Sequence, residues 1–138
     1  MALKEGALRD MRDYKIFAVD FDGTLAVNEF PDIGRPNKDL IKYLIKRKKA
    51  GDKIILWTCR VDHWLQEAVD WCKAQGLEFD EVNNNLPEKI EKWGNDTRKI
   101  YADIYIDDKA VVPQMYTQPY GVKPGTENFM QSWLQSAT

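Results

Sequence analysis

Residues 17–25 read FAVDFDGTL, and this stretch decides the fold. The apolar residues 16–19 do not alternate with polar residues, which is typical of a strand buried on both faces of a sheet. Asp20 and Asp22 come where this strand leaves the sheet, and burying two acids there is costly unless a cation or hydrogen bonds compensate. The stretch therefore indicates a functional site. The alternative is an Asp-Gly turn closing a hairpin, for which residues 25–31 make a poor second strand.

The length and composition indicate one soluble globular domain. A chain of 138 residues can bury a real core, and its 43% hydrophobic and 30% charged residues are ordinary for a soluble protein. The net charge of −2 argues against bulk attraction to nucleic acid or to an anionic membrane. The sequence shows no signal peptide and no apolar run of membrane-spanning length. We expect a cytoplasmic protein with a leader (1–13), a core (14–112) and a C-terminal loop and helix (113–138).

The cysteines and the histidine argue against a soft-metal site. Cys59 and Cys72 have no metal-ligand spacing, and their apolar contexts predict reduced, buried thiols. His63 is the single histidine, so a zinc site is not expected. His63 is also a weak catalytic candidate, because the carboxylates already supply an acid and a base.

Strand and helix patterns alternate along the chain, which predicts an α/β fold with a parallel sheet and right-handed crossovers. Strands are expected at 14–20, 53–58, 77–82 and 102–106, with a short fifth starting at Val111 and Val112. Helices are expected from caps at Asn37, Asp62 and Thr126, ending near residues 50, 75 and 135, and at 87–93. Residues 25–36, rich in proline and glycine, are expected to be irregular.

Polar side chains end three of the four main strands. Asp20 and Asp22 end the first, Thr58 ends the second, and Asp107 and Asp108 end the fourth. In a parallel sheet these ends share one edge, where ligands bind in α/β folds. Four carboxylates would repel there without a cation, and oxygen ligands alone favour Mg²⁺.

Such a site suits phosphoryl chemistry. A carboxylate beside Mg²⁺ can attack phosphorus and form an aspartyl-phosphate, and a second carboxylate can protonate the leaving oxygen and then activate water. Thr58 and nearby backbone N–H groups can hold phosphoryl oxygens, while a lysine should offset the remaining negative charge.

These residues resemble the four motifs of the haloacid dehalogenase (HAD)-like hydrolases. The resemblance covers residues 14–112 and consists of DFDGT at 20–24, the strand ending in Thr58, a lysine, and the Asp107-Asp108 pair. Residues 56–60 and 102–108 particularly resemble a small capless group of bacteria and phages. The resemblance implies a Rossmann-like three-layer sandwich with a parallel sheet of order 3-2-1-4(-5), no cap domain, and Mg²⁺-dependent phosphatase activity.

The resemblance also implies residue roles. Asp20 resembles the nucleophile and a Mg²⁺ ligand, and Asp22 resembles the general acid/base with its backbone carbonyl on the metal. Thr58 resembles the phosphate-binding residue. Asp108 resembles the direct metal ligand of the last motif, and Asp107 resembles its supporting acid.

The phosphate-stabilising lysine is assigned by position. Lys99, just before the fourth strand, is favoured over Lys89 in the preceding short helix, and the lysine-proline pairing usual in the family is absent. The choice between the two lysines stays open.

Four further residues at this edge are assigned to substrate binding: Gly23, Thr24, Cys59 and Arg60. Gly23 also lets the chain turn away from the strand. The alternative for Arg60 is a surface arginine at the start of a helix.

Two other groups are interpreted structurally. Four tryptophans have strand or helix spacing and are expected in the core: Trp57, Trp64, Trp71 and Trp93. Residues 83–85, three asparagines near the same edge, are interpreted as a turn, with lining of the site as the alternative.

The short gaps after the first and third strands leave no room for a cap domain. We therefore expect a large substrate or a partner subunit to cover the site, or low selectivity. The main hypothesis is a phosphomonoester hydrolase that acts on a small molecule or a macromolecule end. The alternatives are a nucleotide or polynucleotide-end phosphatase and a non-catalytic metal- or phosphate-binding domain.

Overall fold

The computed structural model describes residues 12–113. The expected closing helix and most of the expected leader lie outside the described residues. The elements, in chain order, are β1 (Ile16–Val19), β2 (Ala26–Glu29), β3 (Asp32–Pro36), α1 (Lys38–Lys49), β4 (Lys53–Leu56), α2 (Asp62–Ala74), β5 (Glu81–Val82), α3 (Pro87–Trp93) and β6 (Ile104–Ile106).

The main sheet is parallel and has β1 in its interior. Its four strands run in the order β5-β4-β1-β6. Phe17 lies opposite Ile54 of β4 and Ile104 of β6. The α/β class and the parallel sheet are thereby confirmed, and the architecture is compatible with a Rossmann-like fold. Because the strands are parallel, the carboxyl ends of β1, β4 and β6 meet at one edge of the sheet.

β1 is buried on both faces, as its uninterrupted apolar run predicted. Phe17 and Val19 pack into a cluster with the apolar residues of α1 and α2, while Ile16 and Ala18 pack into a second cluster with Leu86 and other residues. The central strand is thus fixed from both sides. The residues after β1 leave the sheet from a rigid base.

Two of the three described helices begin at the residues that the sequence predicted. Asn37 caps α1, its side-chain oxygen accepting a hydrogen bond from the Leu40 N–H (3.3 Å), as predicted. Pro87 begins α3. The prediction for Asp62 was wrong: Val61 is the N-cap of α2 with no side-chain cap, and Asp62 is already the first helical residue.

Residues 25–36 are not irregular, which corrects the expectation from their prolines and glycines. β2 and β3 form an antiparallel hairpin in which Asn28 lies opposite Ile33. Pro31 lies in the turn, and Gly34 lies so close to the Val27 carbonyl that a Cβ would overlap it. The residues that suggested a break therefore serve a turn and a close strand contact.

The later strands are shorter than predicted. The third strand of the sheet is the two-residue β5, and residues 77–80 are not part of it. Val111 and Val112 are exposed and form no strand.

The segment between β1 and α1 contains a loop and the β2–β3 hairpin. Within residues 12–113, none of the helices has the length and apolar character needed to span a bilayer.

Candidate functional site

Three carboxylates meet where β1 and β6 end. Asp20 comes directly after β1, and its N–H donates to the Ile106 carbonyl of β6 (2.9 Å), directly before Asp107 and Asp108. One carboxylate oxygen each of Asp20, Asp107 and Asp108 lies within 4.8 Å of the others. We call these three residues the acid group. Two strand ends more than eighty residues apart in sequence thus converge as the parallel topology predicts.

The acid group is electrostatically crowded. The pKa of Asp20 is raised from 3.8 to about 6, chiefly by burial and further by the negative charges of Asp107, Asp108 and Asp22, against a hydrogen bond from the Phe21 N–H that lowers it. A bound cation would relieve this repulsion. The all-oxygen donor set fits Mg²⁺, which is held by carboxylates in proteins.

Lys109 is the cation beside the acid group, and the sequence reasoning missed it. Its Nζ lies 3.2 Å from Asp108 Oδ2, and its backbone N–H donates to Asp107 Oδ1 (2.9 Å). The hydrogen bond to Asp108 and the charge of that residue raise the pKa of Lys109. Desolvation acts to raise the pKa of Asp108, but the hydrogen bond and charge of Lys109 outweigh it and lower that pKa. Its position directly after Asp107 and Asp108 in the sequence could have indicated this role.

Gly23 and Thr24 support Asp108, and their assignment to substrate binding stays a prediction. The Gly23 N–H donates to the Ala26 carbonyl, and a Cβ on Gly23 would lie 2.5 Å from Asp108 Oδ2. The Thr24 side chain is buried, and its Oγ1 accepts from the Asp108 N–H (3.2 Å). This glycine makes room for a carboxylate, and this threonine fixes the backbone that carries it.

Arg60 is buried and holds Asp22, so it is not a surface arginine at the start of a helix, while its assignment to substrate binding stays a prediction. It is 2% exposed, and its Nε and Nη2 donate to the two carboxylate oxygens of Asp22 (2.7 and 2.8 Å). Its other N–H groups donate to backbone carbonyls of Pro31, Asp32 and Trp64. All five N–H donors of the guanidinium are therefore used within the protein.

Two aromatic rings enclose this arginine. The guanidinium carbon lies 4.9 Å from the centre of the Phe21 ring and 5.0 Å from that of Phe30. The Asp22–Arg60 pair thus joins the loop after β1 to the turn of the hairpin. The Asp22 carboxylate is directed to Arg60 and is not part of the acid group, so only its backbone carbonyl is left as the predicted metal ligand.

Asn83 holds the loop that carries Thr58. The Asn83 side chain accepts from the Thr58 N–H (2.8 Å) and donates to the Thr58 carbonyl (3.0 Å). Asn83 has φ +55°, a left-handed conformation that asparagine tolerates. The Thr58 Oγ1 accepts from the Arg60 N–H (3.2 Å). The interpretation of Asn83 as a plain turn residue is therefore incomplete, because it positions Thr58.

The cysteines and the histidine differ in their surroundings. Cys72 is buried, and burial raises the pKa of its thiol to about 12. Cys59 is exposed, so the prediction of burial was wrong for it, and its assignment to substrate binding stays a prediction. His63 is exposed in the first turn of α2, with its ring 4.4 Å from that of Trp64.

Lys99 and Lys89 lie on the walls of a cavity whose described lining includes no member of the acid group, nor Asp22 or Thr58. The Lys99 Nζ lies 5.3 Å from the centre of the Tyr105 ring. The choice of Lys99 over Lys89 as the phosphate-stabilising lysine stays a prediction.

Comparison with known proteins gives one informative relative. No protein-family model and no curated protein matches the chain. A solved structure of a conserved protein coded by a locus of Bacteroides thetaiotaomicron is 36% identical, with a TM-score of 0.63. The match covers 71% of this chain and 78% of that one. The chain therefore belongs to the same family as this conserved Bacteroides protein.

Proposed function

We propose that the chain is a Mg²⁺-dependent phosphomonoester hydrolase of the HAD-like type, acting through an aspartyl-phosphate on Asp20. The observation that carries this proposal is the acid group, whose three carboxylate oxygens lie within 4.8 Å at the ends of two adjacent parallel strands. The interior position of β1 and the absence of a cap between β1 and α1 further support this assignment.

In the proposed first step, an Asp20 carboxylate oxygen attacks phosphorus and the bond from phosphorus to the leaving oxygen breaks. Asp22 gives a proton to that oxygen. Water then attacks the phosphorus of the aspartyl-phosphate, Asp22 takes the proton, and the bond to Asp20 breaks to release inorganic phosphate. Mg²⁺, held by Asp20, Asp107 or Asp108 and the Asp22 carbonyl, would neutralise charge on the phosphoryl oxygens.

The surrounding residues have supporting roles in this proposal. Arg60 fixes the orientation of the Asp22 carboxylate and occupies one acceptor site on each oxygen, which leaves acceptor sites for a proton. Thr58, held by Asn83, binds a phosphoryl oxygen. Lys109 offsets negative charge, the role that the family resemblance gave to Lys99 or Lys89.

The test is the replacement of Asp20 by Asn, which keeps the shape but removes the nucleophile. With Mg²⁺ and an aryl phosphate, we expect turnover to fall at least about a thousandfold, as is usual when a covalent nucleophile is removed. Asp70→Asn is the matched control, because Asp70 is an exposed acid on α2. Full activity in Asp20→Asn would exclude the proposed intermediate.

A panel of phosphate esters separates the substrate classes. Nucleotides, 3′-phosphorylated oligonucleotides, phosphopeptides and sugar phosphates should each be assayed with Mg²⁺. Release from the oligonucleotides or nucleotides above the others would identify a nucleotide or polynucleotide-end phosphatase. If no ester in the panel is hydrolysed, a non-catalytic metal- or phosphate-binding domain becomes the better assignment.

A further inference from the structure

The lining of the cavity that contains Lys89 and Lys99 includes no residue that the proposed mechanism uses. The volume of this cavity is about 420 Å³, in the range of small-molecule sites. The described residues that line it come from α3, from the segments flanking it and from β6, and they include Lys89, Trp93, Lys99, Tyr101 and Tyr105. We call it the aromatic cavity.

The described lining of the aromatic cavity is cationic. It includes two lysines and no acidic residue. Lys89 is 4% exposed. Its Nζ lies 4.3 Å from the centre of the Tyr101 ring, and the Lys99 Nζ lies 5.3 Å from that of Tyr105. Aromatic rings thus hold both ammonium groups at the wall, which favours an anionic occupant.

Three aromatic side chains line the same space, and two have fixed positions. The Tyr105 hydroxyl donates to the Ile100 carbonyl and accepts from the Ala102 N–H. The Tyr101 hydroxyl donates to Asp103 Oδ1 (2.9 Å), and its backbone N–H donates to Asn85 Oδ1 (2.8 Å). Preformed aromatic walls of this kind suit a flat ring.

Trp93 supplies a donor without an acceptor. Its indole Nε1 is buried and has no hydrogen-bond partner among the described residues, where it is the single buried side-chain polar atom in that state. The indole ring is part of the lining of the cavity, so its N–H resonance reports on what occupies that space.

We propose that the aromatic cavity binds a planar aromatic anion, with the ring against the tyrosines and Trp93 and the anionic group near Lys89 and Lys99. Aryl carboxylates and aryl phosphates share this chemistry. The site does not depend on the acid group, so it stands whether or not the chain hydrolyses phosphate esters.

The Trp93 indole N–H is a direct reporter of binding. In a ¹⁵N-labelled full-length chain, its resonance is assigned among the five tryptophans by its loss in Trp93→Phe. We expect 1-naphthoate to shift this resonance saturably, with a Kd below about 1 mM. Two matched probes, 1-naphthalenemethanol without the charge and cyclohexanecarboxylate without the aromatic ring, should bind at least about tenfold more weakly.

Lysine variants test the charge. Lys89→Met with Lys99→Met should raise the Kd for 1-naphthoate at least about tenfold, while Lys92→Met, on α3 outside the described lining, should leave it unchanged. Lys99→Met alone, at an exposed residue, keeps the test open if loss of the buried Lys89 unfolds the chain. An unmoved Trp93 resonance at a probe concentration of about 10 mM, or equal affinity in the lysine variants of a folded chain, would overturn the proposal.

Discussion

Asp20 and Asp22 are two residues apart, yet they lie in opposite electrostatic surroundings. Asp20 belongs to the acid group, where burial and three neighbouring acids raise its pKa to about 6. Asp22 is paired through both oxygens with Arg60, which is 2% exposed. Asp20 shares the charge of Lys109 with two other acids and is suited to bind a further cation. Asp22 is fully matched and holds the hairpin to the sheet.

The difference arises from the part of the structure that each side chain faces after the end of β1. Asp20 lies beside the end of β6, which contributes two further acids. Asp22 lies in the turn after β1, which faces the hairpin and the loop after β4, where Arg60 is found. The same residue type therefore lies in a group of like charges in one place and in a matched ion pair in the other. Substitutions at these two acids and at their neighbours test this comparison.

The largest effect is expected from Arg60→Met, which leaves Asp22 unpaired and three hairpin and helix carbonyls without their donor. Removing one partner of a buried ion pair typically costs about 3–5 kcal/mol. We expect a loss of this size in the free energy of unfolding measured with urea. Lys73→Met is the control, since its ion pair with Glu78 is exposed and should contribute less than about 0.5 kcal/mol.

A loss below about 1 kcal/mol in Arg60→Met would show that the Asp22–Arg60 pair does not anchor the hairpin. Arg60→Lys sharpens the result. It keeps the charge but not the five donors, so its unfolding free energy should lie between those of the methionine variant and the wild type.

Gly23→Ala should affect both stability and metal binding. Gly23 has φ +84°, and a Cβ would lie 2.5 Å from Asp108 Oδ2, so the acid group must shift. We expect a cost of about 2–4 kcal/mol and at least about tenfold weaker Mg²⁺ binding by calorimetry. Gly51→Ala, with φ +105° and open space around it, should lose about 1–2 kcal/mol with Mg²⁺ affinity unchanged. Equal Mg²⁺ affinities in the two variants would contradict the role given to Gly23.

The smallest effect is a pH dependence in the metal-free chain. The folded-state pKa of Asp20, about 6, lies above its ordinary value of 3.8, so the folded chain binds more protons between these values and loses stability as the pH rises through 6. Asp20→Asn lacks this loss. Allowing for solvent screening of a half-exposed group, the variant should be about 1–2 kcal/mol more stable than wild type at pH 8, and the difference should vanish below about pH 4.

Mg²⁺ provides the check on this prediction. At about pH 8, saturating Mg²⁺ should raise the Tm of the wild type and leave that of Asp20→Asn nearly unchanged. If the stability of the metal-free wild type does not change between about pH 5 and pH 8, the pKa of Asp20 is not raised in the folded chain.

The acid group could be predicted because its acids come at the ends of apolar runs in the sequence. An apolar run with acids at its end identifies a strand and the edge where that strand stops, and parallel pairing then brings Asp20 near Asp107 and Asp108. The burial of β1 on both faces could be predicted from the same pattern. Asn37 and Pro87 likewise reveal helix starts through side-chain chemistry that operates within one turn.

The role of Arg60 could not be predicted because its partners are distant in sequence. Three of its five hydrogen bonds are to backbone carbonyls, which any residue type supplies, and two of those carbonyls lie in a hairpin that the sequence did not suggest. Lys99 was favoured from chain order alone, whereas the position of its side chain depends on packing with Tyr105. Burial of a charged residue is a tertiary property that composition does not reveal.

The internal use of Arg60 has a consequence for the order of binding events. The charge of Arg60 is paired with Asp22 and lies between two aromatic rings, so Arg60 does not offset the charge of the acid group. Lys109 is the cation beside the three carboxylates of that group. This edge therefore repels a phosphate dianion until a divalent cation has bound. Under the proposed function, binding is ordered: the metal associates first, and phosphate esters gain affinity only for the metal-loaded chain.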